Sequence, residues 1–345
     1  MEVLLQEILK QFGIENIQSI SPLGNGLINT TYKVLANEVY VLQKINTQVF
    51  KDAKAIFYNQ NVLENYLLEN DVAYEIVPAC TTKNGNNYFE DAAGDYYRVA
   101  PFIKNTHTKN VVQNAAEAYE AACAFGNFTN AFQNIEVEKL KPVIPNFHDI
   151  GLRYYQFTTA IKNGNVARIL QSKIEIEKLL NHVDIVKKYA EIINHKNWKT
   201  RVTHHDTKIS NVLFNADNKA THVIDLDTVM PGFFISDVGD MLRTYLSPVS
   251  EEENDVEKII IRKDIYQAIY TGYTDTLKDN FTPEEKENFG YAGKFMIYMQ
   301  ALRFITDYLN DDIYYGAKYE QHNYVRACNQ IYLLEKLISF ERINR

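Results

Sequence analysis

The stretch His204-His205-Asp206-Thr207-Lys208-Ile209-Ser210-Asn211 decides how this chain is read. It sets an acid, a cation and an amide in the spacing H-x-D-x-K-x-x-N. Val212-Leu213-Phe214 follows at once and suits a short strand. A second strand, residues 221–226, is joined to it by the turn Asn215-Ala216-Asp217-Asn218. In such a hairpin the start of the first strand lies beside the end of the second. Asn211 and Asp225 are therefore expected to sit together.

The spacing is that of a catalytic loop for phosphoryl transfer of the kinase type. There the Asp orients the attacking hydroxyl and takes its proton, and the Asn five residues later ligates magnesium. Asp206 is read as the base, with Asn211 and Asp225 as oxygen ligands suited to hard Mg²⁺. His204 orders the loop by hydrogen bonds. Two roles stand open for Lys208: contact with the transferring phosphate, or bracing of Asp206. Loops rich in Asp, Asn and His are also common turn material. The full spacing followed by an acidic strand end outweighs that reading.

Upstream, Leu23-Gly24-Asn25-Gly26-Leu27-Ile28-Asn29-Thr30-Thr31 lies between two predicted strands. Glycines there let backbone N–H groups approach phosphates, so Gly24, Asn25, Gly26, Asn29 and Thr31 are candidates for ATP. The pattern is neither G-x-G-x-x-G nor a P-loop. In Val39-Tyr40-Val41-Leu42-Gln43-Lys44-Ile45, alternation places Leu42 and Lys44 on one side. A Lys beside apolar residues either snorkels or serves an internal anion. After a phosphate loop, contact with the α- and β-phosphates is favoured for Lys44. Glu64, the nearest Glu on the following helix, is either its acidic partner or a solvated helix residue.

Apolar spacing predicts helices over residues 3–12 and 51–68, strands over 17–23, 31–35 and 38–45, and a hairpin over 87–102. From about residue 104 helical periods dominate: 112–129, 174–194, 255–277, 283–309 and 322–340, interrupted by the β-rich island at 203–227. The fold class expected is α+β and bilobal, like a protein kinase. Residues 1–103 form a small antiparallel-sheet lobe that binds nucleotide, and residues 104–345 a larger, mainly helical lobe for catalysis and the acceptor.

The chain has 345 residues, 46% hydrophobic and 23% charged, with a net charge of −8. That balance provides no basic footprint for nucleic acid or an anionic membrane. No apolar run approaches the roughly 20 residues that span a bilayer. Three scattered cysteines argue against a disulfide framework or zinc site. A cytoplasmic monomer is expected.

Together these residues resemble the aminoglycoside phosphotransferase and choline kinase superfamily, in which Ile224-Asp225-Leu226-Asp227 stands where protein kinases have D-F-G. Within it, residues 40–47 (YVLQKINT), 223–232 (VIDLDTVMPG), 236–240 (SDVGD) and 302–309 (LRFITDYL) are similar to bacterial N-acetylhexosamine 1-kinases. The resemblance implies transfer of phosphate from ATP to the anomeric hydroxyl of N-acetylglucosamine or N-acetylgalactosamine. By position it implies that Asp206 also binds the acceptor, and that Asp227, Arg303 and Asp307 belong to the sugar pocket or its surroundings. Arg303 and Asp307 share one helical face, where they either grip hydroxyls or form a surface ion pair. Asp237, Asp240 and Arg243 are read as braces for the catalytic loop, and Phe147-His148-Asp149 as ordinary loop. Alternatives are a kinase of homoserine, choline or an aminoglycoside, or an inactive kinase-like binding module. The missing D-F-G and A-P-E motifs argue against a protein kinase.

Overall fold

The computed structural model describes residues 2–24 and 28–343 and divides into two compact units. It is α+β, as expected, with a small antiparallel sheet and a larger helical part. No helix among the described residues is long and apolar enough to cross a membrane.

The sheet unit opens with α1 (Glu2–Gln11), then β1 (Ser19–Pro22), β2 (Thr30–Leu35), β3 (Val39–Lys44), α2 (Ala53–Glu69), β4 (Phe89–Glu90) and β5 (Tyr96–Pro101). Spatial order is β1-β2-β3-β5-β4, antiparallel throughout. Register fixes the faces. Leu42 lies opposite Tyr32 and Val99, and Lys44 opposite Tyr97, while Gln43 lies opposite Thr31 and Arg98. Because side chains alternate across a strand, Val34, Leu42, Tyr97 and Val99 share one face, closed by Leu5, Ile8 and Leu9 of α1. Thr31, Gln43 and Arg98 occupy the other.

This unit gathers residues 1–107, 134–145 and 213–231, which differs from a single boundary at 103/104. The cause is polar pinning. Asn59 of α2 donates to the carbonyls of Lys141 (2.8 Å) and Val229 (2.9 Å) and accepts the Lys141 N–H (2.8 Å). His107 and Phe214 exchange two backbone hydrogen bonds of 2.9 and 2.8 Å. The hairpin Val212–Phe214 with Ala220–Val223 forms as its turn residues predict.

The helical unit contains α3 (Ala115–Ala131), α4 (Ile150–Asn163), α5 (Val166–Gln171), α6 (Lys173–Asn181), α7 (Asp184–Ile193), α8 (Phe234–Tyr245), α9 (Lys263–Leu277), α10 (Pro283–Glu287), α11 (Phe289–Leu309) and α12 (His322–Ile343). In α11, 17 of 21 residues are buried, so it has no solvent face and serves as the unit's axis. Helices α4, α7, α8 and α12 pack around it. A Cβ on Gly239 of α8 would stand 2.5 Å from the Ala292 carbonyl oxygen and 2.9 Å from Met296 Cβ. Only Gly lets α8 approach α11 this closely, and α8 positions the acids described next.

Candidate active site

In the helical unit, residues 204–211 leave the strand Arg201–Thr203 by a sharp reversal at His205, whose φ is +66°. For a side chain of this size that conformation costs on the order of 1–3 kcal/mol and persists only where the surroundings fix it. They do so here. The N–H groups of His204 and His205 both donate to Asp237, at 3.0 and 2.8 Å. The Thr207 N–H donates to Asp240 at 2.9 Å, and the Tyr245 hydroxyl donates to the Thr207 carbonyl at 2.6 Å. Arg243 neutralises Asp240 at 3.0 Å. Asp237 and Asp240 are three apart on α8 and so share a face, the bracing that their order in the sequence suggested. A Cβ on Gly232 would come within 2.6 Å of the His205 ring, so this glycine makes room for it.

Burial pushes the Asp237 carboxyl up to about 7, against the two N–H donors, and the charges of Asp240 and Asp206 add to the rise. Asp206 goes the other way. Burial would raise it, but the Lys208 charge, its hydrogen bond, His204 and Asn211 hold it below the usual carboxylate range. It is ionised at neutral pH. Lys208 Nζ (2.8 Å) and Asn211 Nδ2 (3.0 Å) both donate to Oδ2. Among the described residues, Oδ1 is thus the oxygen left to receive a proton. Lys208 therefore makes the bracing contact. Asn211 Nδ2 also reaches the Asp206 carbonyl at 2.9 Å, which leaves its amide oxygen as the atom suited to a hard cation.

The sheet unit holds the remaining nucleotide-side candidates. Asn29 accepts the Asn46 N–H (2.9 Å) on Oδ1 and donates through Nδ2 to Asp227. Asp227 is 1% exposed and forms an ion pair with Arg98. Arg98 Nε donates to Gln43 (2.9 Å), whose amide donates to the Thr31 hydroxyl (3.2 Å). One polar row thus crosses β2, β3 and β5 and ends on Asp227. Gly24 has a φ of +68°, which favours glycine, while Asn25 and Gly26 lie outside the described residues. Asp225 also adopts a left-handed backbone, with a φ of +62°.

Lys44 is not in that row. Alternation was read correctly, but the face it shares with Leu42 is the one covered by α1. There its ammonium pairs with Asp95 and lies 5.8 Å from the centre of the Tyr97 ring. Glu64 does not partner it. Its carboxylate accepts from Gln60 (3.4 Å) and the Ala79 N–H (3.5 Å), and burial raises its pKa. The helix bearing Glu64, α2, packs on residues 226–228, at the face opposite Lys44.

The loop, its acid braces and the Asp225 turn fall within a segment that matches a known family: residues 19–258 match the phosphotransferase enzyme family. The chain belongs to that family. An aminoglycoside phosphotransferase from Alicyclobacillus acidocaldarius has the same fold, with a TM-score of 0.66 at 13% identity over 98% of this chain and 95% of that one. Spectinomycin phosphotransferase, solved with ADP and spectinomycin, has a TM-score of 0.63 at 16% identity over 99% and 98%. A choline kinase from Streptococcus pneumoniae has a TM-score of 0.56 at 12% identity over 98% and 99%. The likeness extends along the kinase-like fold as a whole and leaves the acceptor open.

On this phosphotransferase, the side chains expected at the acceptor sort differently from the sequence reading. Asp307 is buried and its carboxylate accepts the N–H groups of Tyr314 (2.7 Å) and Tyr315 (2.9 Å) and the Asn323 amide (3.1 Å). It anchors a turn, as Asp227 anchors Asn29 and Arg98. Arg303 is not paired with Asp307. It donates to Gln300 (3.1 Å), and its guanidinium lies 5.7, 6.0 and 5.3 Å from the centres of Phe147, Tyr314 and Tyr315. His148, in the loop expected to be ordinary, reaches His205 at 3.2 Å, next to Asp206 in the sequence. Burial, then the charges of His205, Arg303, Arg243 and Arg153, holds His148 well below the usual imidazole range, so it is neutral. Asp149, next in sequence, caps α4 through the Leu152 N–H at 2.9 Å.

Proposed function

We propose that this small-molecule phosphotransferase uses ATP and a divalent cation, magnesium by the sequence reading, to phosphorylate the anomeric hydroxyl of an N-acetylhexosamine, giving the 1-phosphate. The observation that carries the chemistry is the open Oδ1 of Asp206, ionised and fixed by Lys208 and Asn211. That oxygen aligns the acceptor hydroxyl and takes its proton as the hydroxyl oxygen bonds to the γ-phosphoryl group and ADP leaves. The Asn211 amide oxygen and the Asp225 carboxylate are hard donors that fit a divalent cation. When bound, it neutralises phosphate charge.

The acceptor side is supported by charge. Arg303 and Arg153 have no carboxylate within ion-pair distance among the described residues; Arg153 is held by Gln156 (3.1 Å) and the carbonyls of Asn146 (3.2 Å) and Phe147 (3.3 Å). The nearby acids are committed: Asp149 to its cap, Asp307 to its turn, Glu251 to Arg243 and Arg326. Two guanidiniums without a carboxylate partner, Arg303 among the rings of Phe147, Tyr314 and Tyr315, suit a neutral sugar with an acetamido carbonyl, and disfavour the ammonium of choline or an aminoglycoside. A panel of N-acetylglucosamine, N-acetylgalactosamine, glucosamine, choline, homoserine and spectinomycin, followed by ADP release, tests this. The N-acetylhexosamines should lead and yield acid-labile 1-phosphate. Preference for choline, spectinomycin or glucosamine over N-acetylglucosamine would refute the acceptor assignment.

A further inference from the structure

We propose that Arg98 of β5, and not Lys44 of β3, is the cation that binds the phosphates of the nucleotide. The inference deepens the reading of this chain as an ATP-dependent kinase and rests on it.

The argument is one of register. The glycine-containing loop joins β1 to β2, so the side chains nearest its end on β2 are Thr30 and Thr31. Thr31 lies opposite Gln43, and Gln43 opposite Arg98, which places all three in one row on one face. That face meets Asp227, two residues beyond the candidate metal ligand Asp225, and Asp227 holds Asn29, the loop residue next to β2. Loop, metal ligand and row therefore converge within a single unit. In the row, the β3 position is a neutral Gln. The positive charge comes from the next strand. Lys33, the other cation on this face, is held 4.5 Å from the centre of the Phe102 ring.

The Arg98 fork is only partly used. Nε donates to Gln43 and Nη1 meets Asp227. No hydrogen bond from Nη2 to a described residue is present, and the side chain keeps 9% exposure. A guanidinium fixed on one edge, with another edge open, is pre-organised for phosphate oxygens, which a flexible ammonium is not. Gln43 and Asp227 act as positioning residues: they hold the guanidinium plane. Lys44, on the α1 face and paired with Asp95, has no route to the same ligand.

The test separates phosphate contact from structural support. Arg98→Met alone strands the buried Asp227, so Arg98→Met/Asp227→Asn is compared with Asp227→Asn, which keeps the arginine. ADP and adenosine binding are measured by calorimetry with magnesium present. The double variant should bind ADP on the order of 10- to 100-fold more weakly than Asp227→Asn, the range for a lost charged hydrogen bond, with adenosine affinity the same in both. Lys44→Ala should bind ADP like the parent chain. Equal ADP affinity in double and single variants, a parallel loss of adenosine, or an ADP-specific loss in Lys44→Ala would each overturn the assignment. An unsubstituted chain that binds no ADP would instead sink the kinase reading itself, and this inference with it.

Discussion

Replacing Asp206 by Asn changes one atom and should remove nearly all turnover, for a reason visible in how the carboxylate is held. Both donors, Lys208 Nζ and Asn211 Nδ2, converge on Oδ2. An Asn side chain cannot place its NH₂ there, because it would face a cation and a second amide NH₂. The amide oxygen must take the Oδ2 position, and the NH₂ then points where Oδ1 met the acceptor. A proton acceptor becomes a proton donor. Loss of a positioned general base costs about 10²- to 10⁴-fold, or ~2.7–5.4 kcal/mol of barrier. Because the contacts to Lys208 and Asn211 survive, unfolding should shift by no more than about 1–2 °C, the effect of roughly 1 kcal/mol in a protein of this size. Coupled ADP-release assays over a range of acceptor concentrations, with thermal unfolding and ADP calorimetry on the same sample, separate these quantities. Expected are a kcat lower by at least two orders of magnitude and unchanged ADP affinity. A variant retaining more than about a tenth of the parent kcat, a loss under ~1.4 kcal/mol, would show that Asp206 is not the base.

Two further perturbations probe the support of the loop. Asp237, held at about 7 by burial, favours its protonated form in the folded state, so its contribution is present below the unfolded value near 3.9 and is lost as pH rises through 7. Asp237→Asn lacks that slope, and the stability gap between parent and variant, read by urea unfolding, should narrow by roughly 3 kcal/mol from pH 5 to pH 8; a gap that widens would mean the two N–H donors favour the charged carboxylate. Gly239→Ala places a methyl 2.5 Å from the Ala292 carbonyl oxygen and should cost about 1–3 kcal/mol of stability. It should also lower kcat, since it displaces the helix bearing Asp237 and Asp240; an unchanged kcat would show that the loop is independent of the α8–α11 contact.

Much of this was legible in the sequence because it depends on short spacings. Asp206, Lys208 and Asn211 lie within six residues, so their spacing marks them as one group, while the reversal at His205 depends on Asp237 and Asp240 of α8. The bracing by Asp237 and Asp240 was legible for a similar reason: their spacing of three puts them on one helical face. The α+β class also followed, since the switch from period-two strands to helical periods is a local signal. Positions fixed by long-range pairing were harder. Arg98 sits in Tyr96-Tyr97-Arg98-Val99, where nothing local distinguishes it from a solvated strand residue. Only the register to Gln43 and the approach of Asp227 give it a partner.

Lys44 shows where periodicity ends as an argument. Alternation established that Lys44 shares a side with Leu42, and that was right. It could not establish what covers that side, because a strand pattern is symmetric with respect to the two faces of its sheet. The deciding residues were Leu5, Ile8 and Leu9, in a helix some thirty residues earlier that could have packed on either face. Once α1 covers the Leu42 face, the odd-numbered residues of β3 turn toward α2 and the Asp225 turn, and Gln43 takes the place that a lysine was expected to fill. The same logic bears on Asp227 and Asp307. Both were chosen as acids near the acceptor, and both are buried carboxylates whose oxygens meet donors of their own chain. A buried acid without such partners would carry a penalty of several kcal/mol, so those partners had to exist somewhere in the fold. What the sequence lacked was their location, because the donors are brought in by long-range packing and by a turn that no local pattern marks.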